Sequence, residues 1–130
     1  MKKLLLSLGL LAFWAPIALA QNNSIAAESG KPVRALRMMA VGPDCKPRDM
    51  GTPYITEEPK HGQAYLQRRN VSVDDKRCGK ITLRALDLYY KSKPGFKGSD
   101  SFDFALIREA DQTNSGGRET RKFRLRVEVR

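Results

Sequence analysis

The stretch "KPGFKGSDSFDFALI", Lys93 to Ile107, decides how this chain is read, because two aromatic residues alternate with polar ones directly after a glycine-containing turn. Pro94 fixes one backbone angle, Gly95 and Gly98 permit positive φ, and Ser99 or Asp100 bonds to nearby backbone amides; together these predict a tight, directed turn. Past the turn, Phe102, Phe104 and Leu106 fall on one side and Ser101, Asp103 and Ala105 on the other, the period of a half-buried strand. Such a turn has three competing uses: cradling a phosphate, holding a metal through Asp100 and Asp103, or steering one strand into a sheet. Its glycines match no phosphate-binding loop and open no helix. Calcium wants six to eight oxygens, and a turn cap accounts for Asp100 without any metal. The turn is therefore expected to steer a strand.

Similar patterns recur on either side. "RKFRLRVEVR" at Arg121 to Arg130 sets Phe123, Leu125, Val127 and Val129 against Lys122, Arg124, Arg126, Glu128 and Arg130. In "ITLRALDLYY", Leu86, Leu88 and Tyr90 share one face at period two. "YIT" at 54–56 and "QAYLQRRNVSV" at 63–73 read as strands around the turn "EEPKHG", and "KPVRALRMMAV" at 31–41 as a strand opened by Pro32. "GPDCKPRDMGTP" at 42–53, with three prolines and two glycines, reads as loop, "DDKRCGK" as a turn, and "READQTNSGGRET" at 108–120 as a long hairpin-like loop around Ser115, Gly116 and Gly117. About seven short strands with turns between them, and no convincing amphipathic helix, predict an all-β antiparallel sandwich or barrel.

Ahead of this domain, "MKKLLLSLGLLAFWAPIALA" has a positive start, an apolar run and the small-x-small ending Ala18-Leu19-Ala20, the pattern of a signal peptide cleaved before Gln21. An uncleaved anchor is the competing reading, opposed by Pro16 and the small residues near the end; membrane contact is then limited to the stage before cleavage. The expected organisation is a signal peptide at 1–20, a flexible segment at 21–30 and one domain at 31–130, small enough for a single modest core. The whole chain carries a formal charge of +10, and removing Lys2 and Lys3 leaves +8. In an exported chain that suggests solubility near anionic cell-surface material; with no recognised nucleic-acid motif, nucleic acid is not expected as a partner. Cys45 and Cys78 are expected to oxidise to one disulfide, adding about 4 kcal/mol at most in the chain-entropy model. A zinc pair would want more ligands than the single histidine, His61.

"PKHGQA" at Pro59 to Ala64, "LYYKSKPGFKGSDSFDF" at Leu88 to Phe104 and the alternating last strand resemble the bacterial cadherin-like, immunoglobulin-fold domains that occur as tandem repeats in large surface proteins. Tyr90, Pro94, Gly95, Phe96, Gly98, Asp100, Ser101, Phe102 and Phe104 occupy matching positions, and the likeness covers about the C-terminal two thirds of the chain after residue 20. It implies an immunoglobulin-like (cadherin-like) sandwich used in adhesion, display or structural spacing. Ser92 stands where the repeats usually carry a proline, the disulfide pair is not general among them, and a single copy does not serve as a stalk spacer.

Catalytic constellations are thin. His61 precedes Gly62 in a turn, and the acid pairs Glu57 with Glu58 and Asp74 with Asp75 are sequence neighbours in turns, an arrangement that does not set two carboxylates across a scissile bond. The expected function is a non-enzymatic binding or structural module of the periplasm or cell exterior, without cofactor, that contacts a protein or an anionic surface polymer. The alternative is a small secreted hydrolase or an enzyme inhibitor. The sequence does not specify the oligomeric state. Lys122, Arg124, Arg126 and Arg130 form the candidate polyanion-binding face; the same cations also suit an edge strand guarded against pairing with other chains.

Overall fold

The computed structural model describes residues 24–109 and 117–130; the signal-peptide reading at 1–20, and Ser115 and Gly116 of the expected loop centre, lie outside them. Among the described residues seven strands form: β1 Ser24–Ala27, β2 Pro32–Met38, β3 Thr52–Glu57, β4 Gly62–Asp75, β5 Gly79–Ser92, β6 Gly98–Glu109 and β7 Arg118–Val129. They make two sheets, β1-β7-β6-β3 and β2-β5-β4, packed as a sandwich. This is an immunoglobulin-like arrangement whose first strand lies beside the last.

Two expectations change at the N-terminal end. The sheet begins at Ser24 and not near Lys31, because "SIAA" pairs with β7 and turns Ile25 and Ala27 inward beside Val127 and Val129. That pairing is parallel, so the sandwich is not wholly antiparallel. The "READQTNSGGRET" segment is likewise shorter as a loop than expected, since β6 runs on to Glu109 and β7 starts at Arg118.

Inward-facing side chains of both sheets build the core: Met38, Ala64, Leu88 and Tyr90 from one, Ala27, Phe102, Phe104, Val127 and Val129 from the other. Tyr90 and Phe102 stack across the gap at 6.1 Å, and each contributes about 2–3 kcal/mol through burial. The alternation in the last strand is realised at Leu125, Val127 and Val129, while Phe123 is exposed and stacks on Phe104 at 5.1 Å.

The turn after Lys93 does steer β6. Phe96 N–H donates to the Lys93 carbonyl, with Pro94 and Gly95 in the two central positions and Gly95 at φ 86°, the requirements of a type II turn. Asp100 does more than cap it. Buried at the start of β6, its carboxylate accepts from Lys60 N–H (3.1 Å), His61 N–H (3.0 Å), Ser101 N–H (2.9 Å) and the Tyr90 hydroxyl (2.8 Å). One side chain thus ties β6 to the β3–β4 connection and to the opposite sheet. Burial, with Asp100 alongside, pushes the Tyr90 phenol well above its ordinary range, so it stays a donor. Ser92, where the resembling repeats carry proline, is buried and accepts from Gly30 N–H at 2.9 Å.

Beyond β2 the long β4–β5 hairpin continues as a ribbon, and its tip is clamped. Asp75 accepts from Arg77 and Cys78 N–H, both at 2.8 Å, which holds the tip turn and keeps its carboxyl below the usual range. The 42–46 loop makes its own hairpin turn, Cys45 N–H to Gly42 C=O and Gly42 N–H to Lys46 C=O, with Cys45 at φ 60°. A type I turn followed by one left-handed residue usually places glycine there. Cysteine stands there instead because its sulfur bonds Cys78, with the two Cα atoms 5.6 Å apart. Arg77 adds a hydrogen bond to the Gly42 carbonyl at 2.9 Å. The predicted disulfide joins two hairpin tips.

Candidate functional site

Lys122, Arg124 and Arg126 lie on the outer face of β1-β7-β6-β3, as their alternation predicts, but their charges are not equally available. Arg124 grips Asp103 with two hydrogen bonds (2.7 and 2.9 Å) and reaches Glu57 at 3.2 Å. The register of β3, β6 and β7 brings these three residues together, and the guanidinium holds the Asp103 carboxyl below its usual range. On the rows between Lys122 and Glu128, three cations (Lys122, Arg124, Arg126) meet three carboxylates (Glu57, Asp103, Glu128). Arg130 stands apart, just past the strand, with its backbone bonded to Ala27 and Ser29.

Arg126 also borders an open cleft of about 380 Å³, lined by Lys60, His61, Ser99, Asp100, Ser101, Arg126 and Glu128. The His61 ring stacks on Phe96 at 4.1 Å, the Ser99 hydroxyl donates to Glu128 at 2.7 Å, and Asp100 is engaged as described above. Asp100 and Asp103 lie three apart on one strand and so face opposite sides of the sheet, which prevents them from sharing one metal ion. Among the described residues no group of three or more His, Cys, Asp or Glu gathers for a metal.

Sequence reading missed the outer face of β2-β5-β4. Cross-strand register places Pro32, Lys91 and Gln63 in one row, Arg34, Tyr89 and Tyr65 in the next, then Arg37, Asp87 and Gln67, with Arg69 beside Ala85. Asp87 is fully buried here and binds Arg37 through two 2.7 Å hydrogen bonds. That pairing holds the Asp87 carboxyl below the usual range despite burial, with Arg34 and Arg69 adding to the effect. Tyr65 and Tyr89 stack at 5.4 Å. Along these rows four cations, Arg34, Arg37, Arg69 and Lys91, meet one carboxylate. The period-two series Tyr65, Gln67, Arg69 and Asp87, Tyr89, Lys91 were the available signal; Arg34 and Arg37 were hidden by the irregularity in β2 between Arg34 and Leu36.

No family model matches the chain, and neither a curated protein nor a solved structure matches it significantly.

Proposed function

We propose that this chain is an exported, non-enzymatic, immunoglobulin-like binding module of the cell envelope that contacts an anionic surface polymer. The observation that carries the reading is where the reactive groups go. Both cysteines are joined, both oxygens of Asp100 and of Asp87 accept structural hydrogen bonds, and the His61 ring lies on Phe96, while arginines and lysines populate the sheet faces. A disulfide of this kind suits an oxidising compartment, in line with the signal-like first twenty residues. The cadherin-like resemblance belongs to the same reading, as a display or adhesion domain.

The test is retention of the purified domain on immobilised heparin and polygalacturonate at low salt, beside an activity screen on peptidoglycan and generic esters with heat-killed controls. Retention reversed by raising ionic strength is the expected result. Passage through both matrices unretained would end the polymer reading, and turnover above the heat-killed control would replace it with the hydrolase alternative.

A further inference from the structure

Resting on that reading, we propose that the polymer docks on the outer face of β2-β5-β4 and that it is an acidic polysaccharide. Its carboxylates would meet Arg34, Arg69 and Lys91, and a sugar ring would lie against Tyr65. The two sheet faces differ in available charge: on the other, Arg124 is already bound by Asp103 and Glu57, whereas here the sole carboxylate in the rows, Asp87, is buried and taken by Arg37. Arg34, Arg69 and Lys91 are all exposed. From the Lys91 row to the Arg69 row is six residues of strand, about 20 Å, a span suited to a chain of repeated charges and too long for one small anion.

The tyrosines argue for sugar. Tyr65 is 39 % exposed and sits on β4, an edge strand of its sheet among the described residues. Stacking on Tyr89 covers one face of its ring and leaves the other turned toward the sheet margin. Gln63 and Gln67, exposed two residues to either side on the same face, offer amide groups for hydroxyls; the Gln67 oxygen accepts from Arg69 at 3.4 Å, which leaves its NH2 as the donor. An apolar ring bordered by amides and forked guanidinium groups fits the C–H face, hydroxyls and carboxylate of a uronic acid. An acidic peptide would use the cations and amides but brings no sugar ring to lie against Tyr65.

The experiment measures affinity for polygalacturonate, polyglutamate and neutral dextran by titration calorimetry over a series of salt concentrations. Arg34→Gln/Arg69→Gln/Lys91→Gln should weaken polygalacturonate binding by about tenfold or more and flatten its salt dependence. Tyr65→Ala should weaken it about fivefold with the salt dependence unchanged. Arg37 is left in place because it holds Asp87, and circular dichroism checks that each variant keeps its strands. On the opposite sheet, Lys122→Gln/Arg126→Gln should stay within about twofold of the parent. An unchanged triple variant, or equal losses from the two faces, would overturn the surface assignment while leaving the binding module standing. Polyglutamate bound as tightly as polygalacturonate would overturn the polysaccharide. A parent protein that binds neither polymer would overturn this proposal together with the function it rests on.

Discussion

In the half of the β4–β5 hairpin that lies within the sandwich, the even-numbered side chains of β5, Leu86, Leu88 and Tyr90, pack into the core; nearer the tip the odd-numbered Leu83 and Ala85 are the buried ones. The opposite parity in the ribbon is polar, with Asn70 beside Arg84, Ser72 beside Thr82 and Asp74 beside Lys80. One pair of strands thus turns its apolar side one way for half its length and the other way for the rest. The sandwich half is held by aromatic packing and the Asp100 lock. The ribbon half leans on a covalent clamp at its tip, as a two-stranded hairpin alone is marginal in water. Burial and satisfied polar groups stabilise the first, while the second adds to the burial of Leu83 and Ala85 a constraint on the unfolded chain.

The largest effect should come from Asp100→Ala, which strips partners from three backbone N–H groups and the Tyr90 hydroxyl at once. A loss of about 4 kcal/mol is expected, seen as one cooperative shift of the denaturant midpoint. A shift under about 1 kcal/mol would mean that water replaces the lock at little cost.

Cys45→Ser/Cys78→Ser should cost about 3 kcal/mol, somewhat below the chain-entropy ceiling for a separation of 33 residues. The sharper readout is local. Amide exchange should rise in 68–86 and 39–50 while β6 and β7 stay protected; a uniform rise through all strands would merge the two halves into one cooperative unit.

Asp87→Asn tests the boundary between the halves and should cost about 2 kcal/mol at neutral pH by leaving a half-buried Arg37 poorly paired. Because Arg37 depresses the folded-state pKa of Asp87, the pair's contribution is complete above the unfolded value, about pH 4, and is lost as pH falls through the lower folded value. Stability of the parent should therefore decline with acid in that window, and the variant should decline less. Parallel curves would assign the acid sensitivity to other carboxylates.

What could be read from sequence follows the same division. Phe102 and Phe104, or Val127 and Val129, announce their strands because each alternates against polar neighbours within one segment. β5 is half legible: its even series alternates cleanly, but Leu83, Ala85 and Asp87 of its odd series are buried too, and Asp87 finds its partner Arg37 fifty residues away. "SIAA" carries no period of its own and becomes a strand only through β7, a hundred residues later. Lys122, Arg124 and Arg126 share the outer face of β7 as their alternation predicts, yet nothing local to them reveals that Arg130 falls past the strand or that Asp103 and Glu57 arrive beside Arg124. Local alternation reports which face a side chain takes; register between distant strands decides what meets it there.

The parallel pairing of β1 with β7 has a mechanical meaning. Ser24 lies beside Arg126 and Ala27 beside Val129, with Arg130 N–H bonded to the Ala27 carbonyl and Ser29 N–H to that of Arg130. Tension applied between the start of β1 and the end of β7 pulls the two strands in opposite directions along their common axis. The ladder is then loaded in shear, with its bonds sharing the force, and does not peel open one bond at a time. A domain hung between an anchor before Ser24 and a load beyond Arg130 would therefore meet that force with its first and last strands together.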